Sequence, residues 1–176
     1  MIRDITSLNN KNFHINLFQS NDLTLKNLNI LAPGDSANTD GIHIGDSARI
    51  HITDIVIATS DDCISIGPGT RNVNVTRVVC GPGHGISVGS LGMYKGEAKV
   101  NGVFVRNSTF INTQNGNPPL VKLSNIKINK IRGMSLSQLA VVIGCSRGAP
   151  CENVKIGNIN LKYNGTKDRL SPHVLT

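Results

Sequence analysis

The hexapeptides DGIHIG (40–45), DCISIG (62–67) and HGISVG (84–89) recur at a spacing of 22 residues, twice over. A tandem period in the range of roughly 20–30 residues marks a solenoid, whose coils cannot bury their apolar faces alone and stack to enclose a continuous interior. Around the hexapeptides runs an eight-residue pattern, apolar at positions 1, 3, 6 and 8. It reads LTLKNLNI (23–30), IHITDIVI (50–57), VNVTRVVC (73–80), VFVRNSTF (103–110), VKLSNIKI (121–128) and VKIGNINL (154–161). Its starts lie 27, 23, 30, 18 and 33 residues apart, and Ser108 is the one clearly polar residue at an apolar position. Positions 1 and 3 alternate as in a strand, and the two-residue gap then resets the phase, as a corner between two short strands does. The β-branched content favours strand over helix. An antiparallel β-sandwich is the alternative for evenly spaced strands, but the tandem identity favours an all-β parallel solenoid.

Length admits one domain, and the repeats make the 176 residues about six coils of it. Hydrophobic residues are 39% and charged residues 16%, a globular composition. Aromatics are only 3%, which argues against a base-stacking nucleic-acid binder. No apolar run approaches the length of a membrane-spanning helix. The N-terminus MIRDITSLNN has no apolar stretch of a secretion signal. The net charge of +7 is unevenly placed: residues 1–92 carry −2 and residues 93–176 carry +9. A basic half attracts polyanions such as an acidic polysaccharide. No nucleic-acid-binding motif accompanies it.

Cysteines stand at 63, 80, 145 and 151 with no CxxC pair, so a zinc site is not expected. Two local pairs suggest Cys63–Cys80 and Cys145–Cys151 disulfides, although four cysteines permit three connectivities. Sequons at Asn74, Asn107 and Asn164, taken with paired cysteines, favour a secreted protein.

Stacking brings chemistry together. Asp40, Asp62 and His84 share one offset of the 22-residue repeat, and Thr39, Asp61 and Gly83 share the offset before it. Adjacent rungs lie about 4.8 Å apart, so three carboxylates and one imidazole converge on one patch. Clustered like charges raise carboxyl pKa values, which allows one carboxyl to stay protonated while another is ionised. Glycoside hydrolysis needs that pair. Taken singly, Asp-Asp could be a turn device and His84 a turn histidine. Strict alternation places Asp62 on the core face with Ile64 and Ile66, unless a bulge or turn breaks the parity.

Asn38-Thr39-Asp40, Asp61-Asp62 and Gly83-His84-Gly85 resemble three of the four signatures of the polygalacturonases, the pectin-hydrolysing glycoside hydrolases. The stretches APGDSANTDGIHIG (32–45), VVCGPGHGISVGSLG (78–92) and RGMSLSQLAVVIGCSRGAPC (132–151) are similar to plant members. The resemblance implies a right-handed parallel β-helix that hydrolyses α-1,4-linked galacturonate with inversion and without metal or other cofactor. It implies Asp61 as general acid, Asp40 and Asp62 as the residues that hold and activate water, and His84 as support for the acid. It also implies a secreted, cell-wall setting, an acidic polysaccharide as partner, and a monomer. The segment GMYKGEAKVNG (92–102) is more similar to exo-acting than to endo-acting members.

The fourth signature, Arg-Ile-Lys, is absent. Where it is expected, Asn115-Gly116 runs into Asn117-Pro118-Pro119-Leu120, and the 18-residue interval here is the shortest in the chain. The resemblance therefore implies a single partial domain over 1–176, with coils missing before residue 1 and between 116 and 120. An uncapped first coil is expected to make the chain aggregation-prone. Loss of the cation pair that would hold galacturonate carboxylates is expected to leave catalysis weak or absent. The rival readings are a non-catalytic pectin-binding solenoid, a calcium-dependent pectate lyase, and a fragment without function.

Overall fold

The computed structural model describes residues 1–89, 91, 96–114, 123–144, 150–165 and 173–175. Among these residues there is no helix. Thirteen strands form three sheets, and every pairing is parallel. The large sheet runs β1 (Ile2–Leu8), β3 (Asn21–Leu31), β5 (Ala48–Ala58), β7 (Arg71–Cys80), β9 (Val100–Thr113), β10 (Leu123–Ser135), β12 (Glu152–Tyr163). Between its members lie β2 (Phe13–Phe18), β4 (Asp40–Gly45), β6 (Asp62–Ile66) and β8 (Gly85–Val88), which make the second sheet in that order. β11 (Val142–Gly144) pairs with β13 (His173–Leu175). From β1 to β9 the strands alternate between these two sheets, and the expected all-β parallel solenoid is borne out.

The octads build the large sheet. Leu23 pairs with Ile50, Ile50 with Val73 and Val73 with Val103, position 1 on position 1. Their apolar positions point inward: Leu25, Leu28 and Ile30, then Ile50, Ile52, Ile55 and Ile57, are buried. Each such side chain contributes roughly 1.5–3 kcal/mol of burial. The corner lies at position 5 of each octad, where Asn27, Asp54, Arg77, Asn107 and Asn158 adopt φ between 52 and 58°. A second left-handed residue precedes position 1: Asp22, Arg49, Asn72, Gly102, Asn125 and Asn153. Asn, Asp and Gly dominate because they tolerate this conformation best. The corner side chains also form ladders up the stack. Asn27 donates to Asp4 at 2.7 Å, and Asn153 donates to Asn125 at 2.6 Å. Arg49 grips Asp22 at 2.5 and 2.7 Å, and Arg77 grips Asp54 at 2.6 and 2.8 Å.

The fifth octad differs from its expected place. Val103 pairs with Ile126 and Val105 with Ile128, so the octad of this coil is IKINKIRG (126–133), with Lys130 at the corner at φ 54°. VKLSNIKI and IKINKIRG overlap in an apolar series that satisfies either register, and Asn125 takes the corner before the octad rather than the one inside it. The interval from Val103 to Ile126 is 23 residues. Octad spacing therefore carries no shortened coil at this point. Ser108 fills its inward position with its hydroxyl satisfied: it donates to the Arg106 carbonyl at 3.2 Å and accepts from the Val78 amide at 3.4 Å.

Cys63 and Cys80 form a disulfide inside the stack. Cys151 is also disulfide-bonded, while Cys145 lies outside the described residues.

Candidate active site

Asp40 opens β4, Asp61 and Asp62 lead into β6, and His84 precedes β8. The three turns are stacked by their backbones. The Asp61 amide donates to the Thr39 carbonyl at 3.2 Å, the His84 amide to the Asp61 carbonyl at 2.8 Å, and the Gln114 amide to the Gly83 carbonyl at 2.8 Å. Two glycines permit this approach. A Cβ on Gly41 would lie 2.6 Å from the Cys63 carbonyl oxygen, and one on Gly83, at φ 143°, would lie 2.6 Å from that of Asp61. Ile42 pairs with Ile64 and Ile64 with Ile86, so the 22-residue offset is the true register of these coils.

The parity conflict at Asp62 is resolved by a bulge. Asp62 pairs with Gly85 but Ile64 pairs with Ile86, so one extra residue sits on β6 between them. Cys63, Ile64 and Ile66 are fully buried, while the Asp62 carboxylate accepts a short hydrogen bond from the outward hydroxyl of Ser87. One rung earlier, Ser65 donates to the Asp40 carboxylate at 2.7 Å, and His43 Nδ1 lies 2.8 Å from the same serine oxygen. Each carboxylate is thus held by a serine on the following coil. His84 Nδ1 lies 2.7 Å from Asp61 Oδ1, with side-chain exposures of 38% and 22%.

Burial pushes Asp62 up to about 6, and the carboxylates of Asp40 and Asp61 push the same way, while Ser87 and His84 oppose them. Burial also raises Asp40, which is only 7% exposed; its neighbour Asp61 adds to the rise and the Ser65 hydroxyl opposes it. The patch is therefore a coupled carboxylate cluster that holds a proton well above the ordinary carboxylate range. Asp61, Asp62 and His84 bring one ligand atom each within 4.8 Å of one another. Calcium takes six to eight oxygen ligands, roughly. Two carboxylates and an imidazole already engaged with one of them form a poor set for it.

Sequence reasoning brought Asp40, Asp61, Asp62 and His84 together, and the structure places them together. It missed Ser65, Ser87 and His43. Their signal was present: they occupy the fourth position of the three hexapeptides, DGIHIG, DCISIG and HGISVG. The segment 115–120, where the fourth signature is missing, lies outside the described residues, as do residues 92–95 of the segment similar to exo-acting members.

Parallel coils that stack a carboxylate–histidine cluster on adjacent rungs define the class as a parallel β-helix with a candidate active site. The pattern of glycosyl hydrolases family 28 matches residues 1–118 and 117–173, and the chain belongs to that family. It is 46% identical to an exopolygalacturonase of Platanus acerifolia over 211 aligned positions, which cover 94% of this chain and 56% of the relative. It is 39% identical to a polygalacturonase of Brassica napus, over 93% of this chain and 53% of the relative. The chain thus spans about half the length of these relatives. The solved endo-xylogalacturonan hydrolase from Aspergillus tubingensis shares the fold, with a TM-score of 0.67 and 20% identity over 97% of this chain and 63% of that one.

Proposed function

We propose that the cluster hydrolyses α-1,4-galacturonosyl bonds of pectin, with Asp61 as general acid, Asp40 and Asp62 holding and activating the water, and His84 steadying Asp61. The observation that carries this reading is the convergence of the three carboxylates and His84 on adjacent rungs. Asp61 is half-buried against His84, and Asp40 and Asp62 are each fixed by a serine. The named relatives support the substrate, and the exopolygalacturonase of Platanus acerifolia supports an exo mode of attack. A secreted setting at the plant cell wall belongs to the same proposal, supported by the sequons and the paired cysteines. The raised Asp62 favours a second reading, in which Asp62 is the acid.

The cation pair that would grip the galacturonate carboxylates is missing from the sequence, and we propose that the coil bearing it is lost between 116 and 120. Two facts support that reading: the alignment runs over 211 positions against a chain of 176 residues, and the family pattern matches in two pieces that meet at 117–118. Each lost charge-assisted contact forfeits about 1.5–3 kcal/mol.

Reducing-end release from polygalacturonate across a pH series tests these roles. Slow release that disappears in Asp61→Asn is expected. With Asp62 as base, activity falls as pH drops through about 6, because protonation removes the base. With Asp62 as acid, activity instead falls as pH rises through the same value. Release unaffected by Asp61→Asn would overturn the assignment. Rapid release at low substrate concentration would overturn the importance of the missing cations.

A further inference from the structure

Four of the twelve Lys and Arg of residues 93–176, Arg106, Lys127, Lys130 and Lys155, line a groove of about 640 Å³ on the outer face of the large sheet, beside Phe104. It shares no residue with the carboxylate cluster. We infer that this groove is a second binding site for an acidic uronate polymer, which it holds through carboxylate–cation pairs. The identity of the polymer rests on the substrate proposed above.

The register makes the groove an ordered array. Asn74 pairs with Phe104, Phe104 with Lys127 and Lys127 with Lys155, so one outward row crosses four strands, roughly 14 Å at 4.8 Å per strand. The row beside it is Thr76, Arg106, Asn129 and Gly157. Lys127 and Lys155 are like charges on adjacent strands, an arrangement that costs stability unless an anion lies between them. No carboxylate is paired with Arg106, Lys127, Lys130 or Lys155 among the described residues. The N-terminal coils do the opposite: Arg49 and Arg77 each grip an Asp one coil earlier. Lys127 Nζ lies 5.4 Å from the Phe104 ring centre, which keeps a cation and an apolar ring face together. Asn74, Asn107 and Asn129 add amides suited to sugar hydroxyls. Cations for carboxylates and amides for hydroxyls match a uronate chain better than a phosphate backbone.

Binding of polygalacturonate, measured by calorimetry on the Asp61→Asn chain, tests the proposal without turnover. Lys127→Ala/Lys155→Ala is expected to weaken binding at least about tenfold and to flatten its salt dependence. Lys127→Arg/Lys155→Arg should restore it. Both lysines are exposed, so folding is preserved, and the melting curve checks this. Unchanged affinity in the alanine pair overturns the groove. Equal affinity for dextran sulfate or single-stranded RNA overturns the uronate assignment. A chain that binds through these lysines yet never cleaves leaves the groove standing and removes only the hydrolase reading. Asn74 and Asn107 also head sequons on the groove. A glycan on either asparagine would fill the groove, so loss of binding in glycosylated chain is the expected result, and glycosylation at both without any change in affinity overturns the site.

Discussion

At the scale of the residue, Asp62 shows how function and stability oppose each other. The fold raises its carboxyl from an ordinary 3.8 to about 6, so the folded state favours the protonated form. That preference stabilises the fold below about pH 4 and is lost as pH rises through 6. Above that, holding Asp62 ionised costs on the order of 3 kcal/mol. Asp62→Asn should therefore raise the melting temperature near pH 7, leave it unchanged near pH 4, and abolish release of reducing ends. Denaturation curves at the two pH values check the sign. Ser87 acts through this carboxylate. Its hydrogen bond favours the ionised form, so Ser87→Ala should push Asp62 higher and shift the pH–activity limb to higher pH with little change in KM. A uniform loss of rate at every pH would mean that Ser87 only supports the structure.

At the scale of the element, the coil is legible because its two periodicities are simple. Inward positions 1, 3, 6 and 8 announce the strands, and the two-residue gap announces the corner. What stayed hidden was register where the apolar series is locally self-similar. Leu123, Ile126, Ile128 and Ile131 fit two octads five residues apart, and pairing with β9 and β12 selects one. The bulge at Asp62 was equally illegible, because a bulge depends on the partner strand; alternation alone could only flag the conflict. The corners make their own prediction. Asn27 sits at φ 53° and also donates to Asp4. A β-branched residue there meets the left-handed penalty of roughly 1–2 kcal/mol. Asn27→Val should therefore lower stability by about that amount or slightly more in chemical denaturation, whereas Asn27→Gly should lose mainly the hydrogen bond.

At the scale of the whole molecule, stability runs along one axis. Each coil touches only its neighbours, so local opening is governed by how well each rung is covered. The central strands β5 and β7 bury almost every inward side chain. The terminal rungs do not: β1 and β12 contain no fully buried residue, and Ile5 and Ile156 are 47% and 39% exposed. The middle is further bound by the Cys63–Cys80 disulfide and by the Arg77–Asp54 ion pair, which holds Asp54 down at about 2. Amide hydrogen exchange should therefore be slowest at Ile52, Val75 and their neighbours and should quicken toward both ends, with β12 among the first strands to open. The carboxylate cluster hangs on the slow coils, while the basic groove spans from β7 to the fast β12. If the groove binds an acidic polymer, polygalacturonate should slow exchange in β10 and β12 and leave β3 and β5 nearly unchanged. Protection confined to the coils of Asp40, Asp61 and His84 would place all binding at the cluster.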